Sequence, residues 1–192
     1  MKGIDVSWHN KNVDWAGLRS AGIEFAIVRT GAGLSIRDDF ASTVAAAKRA
    51  GMLVGAYHYS YALTPCRAAQ EAVYCRKIID DAGYLLELPV FFDMEDADGY
   101  KARHGFRFNR RNVTAICKAF LDTIGLNAGV YASYSWLTDW IDWQALGCPV
   151  WNAQWGPRDD IGGYLWQFTD NLHIGGCVFD GKYCLVDIER VI

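Results

Sequence analysis

Four acids fall within "FFDMEDADGY", residues 91–100: Asp93, Glu95, Asp96 and Asp98. They follow the apolar run Leu88 to Phe92 without an intervening turn. Carboxylates crowded at the end of a buried strand repel one another and are costly to desolvate, so the placement asks for a use. Strand residues two apart share a face and stand about 6–7 Å apart along it, and Asp93 and Glu95 are such a pair. Their repulsion raises the pKa of one member, which stays protonated near neutrality while its neighbour remains charged. One protonated and one ionised carboxyl are what glycoside cleavage needs: an acid for the leaving oxygen, and a negative group for the oxocarbenium-like transition state. Asp5 in "KGIDVS" and Asp187 in "CLVDIERV" end two further apolar runs in the same way.

Those acids can cooperate only if strand ends far apart in sequence meet. Helical segments near 14–21, 39–50, 66–82 and 110–124 are each followed by a glycine: Gly22, Gly51, Gly83 and Gly125. Glycine just past a helix suits the left-handed stop that other residues adopt reluctantly. Asp38, Thr64-Pro65 and Asn109 mark helix starts. Around the helices lie the strands "KGIDVS", "IEFAIVRT", "MLVGAYHYS", "YLLELPVFFDME" and "LNAGVYAS", and "CPVWNAQW", "GYLWQFT" and "YCLVDIERV" follow with little room for helices between them. This predicts an irregular, TIM-like α/β barrel of about five β/α units plus three further strands. An open doubly wound sheet is the alternative, but no G-x-G-x-x-G turn follows the first strand, as a dinucleotide site would require. Closure makes the first and last strands neighbours and gathers Asp5, Asp93, Glu95 and Asp187 in one mouth. No linker or low-complexity stretch appears, so residues 1–192 are expected to form a single domain.

The remaining features narrow the chemistry. A net charge of -3 is the wrong balance for a nucleic-acid binder. No window of about 18 apolar residues predicts a membrane span, and "MKGIDVSWHN" lacks the apolar core of a signal peptide. A carboxylate-bound cation is the weaker alternative use of the acids. In the EF-hand pattern counted from Asp93, the required Gly falls at Asp98 and the terminal Glu at His104. No H-E-x-x-H occurs, and His9, His58, His104 and His173 are scattered, so neither metal nor cofactor is expected. There is no G-x-S-x-G, and no cysteine stands beside a histidine partner. His58 follows the third strand and could line the mouth, but reads first as a satisfied, partly buried residue. Of six cysteines, Cys66, Cys75 and Cys117 read as small buried helix residues, while Cys177 and Cys184 flank a short loop, "VFDGKY", and could close a disulfide.

Seven blocks, in order, carry a resemblance: "GIDVSWHNKNVDW", "GAYHYS", the D-x-E in "FFDMED", "GVYAS", "VWNAQW", "LWQFT" and "LVDIER". Together they resemble glycoside hydrolase family 25, the Chalaropsis-type lysozymes common among bacteriophage endolysins. The resemblance implies an irregular β/α barrel that cleaves the β-1,4 bond between N-acetylmuramic acid and N-acetylglucosamine in the glycan strands of bacterial peptidoglycan. It implies Glu95 as general acid/base and Asp93 as the partner that orients an attacking 2-acetamido group. Asp5 and Asp187 would be the two further acids of the barrel floor. It also implies a monomeric enzyme made in a host cytoplasm and released to the wall. Tyr57, Tyr59, Tyr61, Tyr131, Trp151, Trp155 and Trp166 then become candidates for stacking on sugars, although each could equally pack in the core; Gln154 and Gln167 could bind hydroxyls. Trp155 stands where the family more often has Tyr. An N-acetylglucosaminidase or chitinase-like enzyme is the alternative within the same chemistry, but the D-x-x-D-x-D-x-E pattern of chitinases is absent. An inactive sugar-binding module is the alternative outside it, and the intact acids oppose that. The basic run Lys101 to Arg111 reads as a solvated face, with contact to acidic wall components as the other use.

Overall fold

The computed structural model describes residues 1–185. Its strands are β1 (Lys2–Val6), β2 (Phe25–Ala32), β3 (Ile36–Arg37), β4 (Leu53–Tyr59), β5 (Val90–Asp93), β6 (Ala128–Ser133), β7 (Val150–Ala153), β8 (Leu165–Ile174) and β9 (Cys177–Cys184). Between them lie α1 (Trp15–Ser20), α2 (Phe40–Arg49), α3 (Pro65–Ala82), α4 (Tyr100–Arg103), α5 (Arg110–Ile124), α6 (Tyr134–Asp139) and α7 (Trp143–Leu146). Hydrogen bonding runs in the order β1-β9-β8-β7-β6-β5-β4-β2, and β1–β2 pairing closes the ring, leaving β3 outside as a short flap on β2. The closed strands are parallel except β9, which is antiparallel to both β8 and β1. The barrel expected from the sequence is therefore present.

Strand alternation sorts the side chains into two apolar regions. Along β5, Val90 and Phe92 turn outward and pack with helix residues such as Ile78, Val113 and Phe120. Phe91 turns inward to a smaller cluster with Phe25, Ile27, Tyr57, Trp151 and Leu165. The interior holds such large rings because small residues stand beside them. At Gly129 an added Cβ would lie 2.2 Å from the Pro149 carbonyl oxygen and 2.9 Å from the Phe91 ring.

Helix boundaries follow local chemistry. Thr64 accepts from Arg67 N at 3.2 Å and Asn109 from Asn112 N at 2.9 Å, each capping its helix. Gly22, Gly51, Gly83 and Gly125 all take positive φ where helices stop. Asp38 does not cap α2: that position is Asp39, and the Asp38 carboxylate instead accepts from Arg29 Nε at 3.1 Å and Trp8 N at 2.8 Å.

Among the described residues, a strand also occupies 177–184, where the sequence suggests a loop. Gly175 and Gly176, both at positive φ, turn the chain directly back from β8, so "VFDGKY" is part of β9 and not a loop. Gly181 and Asp180 in its middle imitate a turn. Cys177 and Cys184 thus sit at opposite ends of an extended strand, roughly 23 Å apart by its rise, beyond the reach of a disulfide. Asp187, assigned to the final strand, lies outside the described residues. Cys75 and Cys117 are buried as expected, but Cys66 is exposed.

Candidate active site

The register carries side chains inward in layers. Tyr59 pairs with Asp93, and Asp93 with Tyr131, across β4, β5 and β6. Tyr131 pairs with Trp151, and Ala153 with Gln167, across β6, β7 and β8. On β9 the inward positions of an alternating strand are Asp180, Lys182 and Cys184. Around Asp5 of β1 a cleft of about 320 Å³ opens at the carboxyl ends of the parallel strands. Asp5, Tyr57, Tyr59, Asp93, Glu95, Tyr131, Trp151, Gln167 and Asp180 all line it. Its floor is a set of edge-on rings: Trp151 meets Tyr131, Phe91 and Tyr57 at 4.5, 5.4 and 5.9 Å between centroids.

Burial sets the proton affinities. Glu95, half-buried just past β5, is pushed up to about 7 by desolvation; Lys101 opposes the rise, while Asp180 and Asp5 add to it. Asp93, only 4% exposed, is pushed upward by burial and then by the Glu95 charge, with Lys101 and Arg29 pulling back. The Asp93–Glu95 pair therefore retains a proton near neutrality and releases its two protons in separate steps. Asp180 rises to about 6, first by burial and next by the Asp5 charge, and accepts from Gln167 Nε2 at 3.1 Å. Lys182, fully buried, forms an ion pair with Asp5, donates to the Asp180 carbonyl at 3.1 Å and lies over the Trp151 ring. Two buried lysines, Lys101 and Lys182, thus offset much of the acid charge.

Several polar atoms of the cleft are buried yet unpartnered among the described residues: Asp93 Oδ1, Trp151 Nε1 and Gln167 Oε1. Buried polar groups are normally satisfied. All three belong to residues that line the cleft, so two acceptors and a donor beneath its surface lack partners among the described residues.

The structure brings Asp5, Asp93, Glu95, Tyr57, Tyr59, Tyr131 and Trp151 together. Two other expected contacts lie outside the cleft lining. Gln154 spends its amide on Asp160 and Asn152. Trp166 donates to the Gln154 carbonyl at 2.8 Å and packs on Tyr183 and Phe168, because β8 turns it away from the barrel axis. Tyr61 bonds Asp98 at 3.0 Å on the rim, and Trp155 is exposed. His58 is a core residue: Thr30 Oγ1 and the Gly33 carbonyl hold its ring nitrogens, and burial lowers it to about 4. Sequence reasoning missed Asp180, Lys182 and Lys101. The first two alternate inward along β9, a pattern that the central Gly181 conceals. Lys101 was grouped with the solvated basic run, yet it is 1% exposed while Arg103, His104, Arg107, Arg110 and Arg111 face solvent.

No helix among the described residues is long and apolar enough to cross a membrane, and no group of three or more His, Cys, Asp or Glu among them is arranged to hold a metal ion.

A closed β/α barrel whose parallel strands deliver paired carboxyls, one of them kept protonated, to a ring-floored cleft has the architecture of a barrel glycosidase. The profile of Glycosyl hydrolases family 25 matches residues 4–177, and the chain belongs to that family. It is 23% identical over 191 residues to Lysozyme M1 of Streptomyces globisporus and 25% identical over 183 residues to the Autolytic lysozyme of Clostridium acetobutylicum. Each alignment covers 92% of this chain but only 64% and 52% of those relatives. The fold is also similar to the crystal structure of the CTP1L endolysin, with a TM-score of 0.82 at 24% identity over 99% of this chain and 68% of that one.

Proposed function

We propose that residues 1–192 form one catalytic domain, an N-acetylmuramidase (lysozyme) cleaving the β-1,4 bond between N-acetylmuramic acid and N-acetylglucosamine in peptidoglycan. One observation carries this most: Glu95, whose proton affinity burial raises, shares its cleft with a second, buried carboxyl, Asp93, whose Oδ1 has no partner among the described residues. Glu95 donates its proton to the glycosidic oxygen as the C–O bond breaks. The carbonyl oxygen of the substrate's own 2-acetamido group attacks the anomeric carbon, and its N–H donates to Asp93 Oδ1. In the empty cleft burial drives Asp93 upward; a donated hydrogen bond favours the ionised form and reverses that drift. Asp93 then offsets the positive charge of the cyclic intermediate. Glu95, now ionised, takes a proton from the water that opens this intermediate and is reset.

The other groups position the sugar. Tyr57, Tyr59 and Tyr131 line the cleft beside the acids and supply its apolar contacts to the sugar. Asp5, held by Lys182, and Asp180 keep negative charge around Glu95 and so favour its protonated form. The family relatives named lysozyme and endolysin support action on the bacterial cell wall. Digestion of purified peptidoglycan followed by mass spectrometry of the products tests the assignment. Reducing-end N-acetylmuramic acid is expected; reducing-end N-acetylglucosamine would refute it.

A further inference from the structure

We propose that Lys101 is a positioning residue of the acid pair: it ties the backbone of Glu95 to the end of β4 and keeps a positive charge behind both carboxyls. This rests on the assignment of Asp93 and Glu95 as the reacting acids. Lys101 sits in α4, within an otherwise exposed basic run, but its side chain passes inward. Its Nζ donates to the Glu95 carbonyl at 2.6 Å and the Ser60 carbonyl at 2.5 Å, and stands 5.7 Å from the centre of the Tyr59 ring. Ser60 directly follows β4, and Tyr59 lines the cleft.

The tie is closed from the other side. Asp96, next to Glu95, accepts from Lys101 N at 2.6 Å and Ala102 N at 3.0 Å, fixing the first turn of α4. Lys101 then returns its ammonium to the Glu95 carbonyl, so residues 95–101 form a ring locked at both ends. Behind it, fully buried Glu71 of α3 accepts from Ser60 Oγ at 2.9 Å and Tyr61 N at 3.1 Å. A neutral donor could satisfy the two carbonyls, whereas an ammonium is costly to bury. The charge has four acid neighbours to act on: Asp93, Glu71, Asp96 and Glu95. Glu95 also faces Asp180, Asp5 and Asp98, Asp93 faces Asp5 and Arg29, and Glu71 faces Arg67. All of these remain in a Lys101 variant.

Removing a neighbouring positive charge raises carboxyl proton affinity. In Lys101→Met, both limbs of the pH–activity profile should move up by about one pH unit, and the carbon-13 NMR titration midpoint of the Glu95 carboxyl should rise with them. Lys101→Arg should keep the wild-type midpoints. If Lys101→Met does not accumulate as folded protein, Lys101→Gln serves with the same expectation. A variant that is slower at every pH with unmoved midpoints would reduce Lys101 to a structural strut and overturn the proposal. The NMR titration separates the two assignments: a raised Glu95 midpoint in a protein that releases no muramic acid ends would sink the muramidase reading and support the role of Lys101.

Discussion

Glu95→Gln should make the folded protein more stable at alkaline pH while disabling it. In the folded state the Glu95 carboxyl rises from its ordinary 4.5 to about 7, chiefly through burial. Each factor of ten in proton affinity is worth about 1.4 kcal/mol, so burying the charged form costs the folded state up to about 3 kcal/mol. Glu95 is half-buried, and solvent screening lowers that figure. The folded chain binds the proton more tightly than the unfolded chain. Its advantage is complete below about pH 4.5 and is lost as pH rises through about 7. Gln keeps the size of the side chain and has no charge to bury. At pH 8 the variant should therefore exceed the wild type by up to about 3 kcal/mol, or up to roughly 6–12 °C in melting temperature for a chain of this size. At pH 4.5 the two should nearly coincide. Urea and thermal unfolding at pH 4.5, 6 and 8 read this directly. Parallel loss of stability by both proteins, or a variant weaker at pH 8, would refute the reasoning.

Two further substitutions probe the barrel interior. Lys182→Met should cost about 3–5 kcal/mol in urea unfolding, because it strands the Asp5 carboxylate, and adding Asp5→Asn should recover at least half of that loss. A double variant as unstable as the sum of the singles would deny the coupling. Gly129→Ala should cost about 1–3 kcal/mol by forcing β6 from β7 and the Phe91 ring; a neutral result in the same assay would contradict the packing described.

Much of the barrel was legible because its signals are local. Glycine stops, side-chain caps at Thr64 and Asn109, and apolar runs ending in acids each follow from a few neighbouring residues. Asp5, Asp93 and Glu95 were found because an acid closing an apolar strand is conspicuous. The final hairpin was not legible: β9 carries Asp180, Gly181 and Lys182 in its middle, a composition of turns, and only barrel closure makes it a strand. Lys101 was missed for a related reason. A lysine among five other basic residues reads as solvated, and its burial depends on the Ser60 and Glu95 carbonyls, which no sequence pattern displays. Trp166 and Gln154 show the opposite error, since one step along a strand decides whether a side chain meets the cleft or its outer wall.

Muramidase action through Glu95 is tested most directly by counting reducing-end N-acetylmuramic acid released from purified peptidoglycan by the wild type and by Glu95→Gln, with wall binding measured alongside. The expected result is release at least about 100-fold slower in the variant with binding retained. Release at the wild-type rate by Glu95→Gln would contradict it.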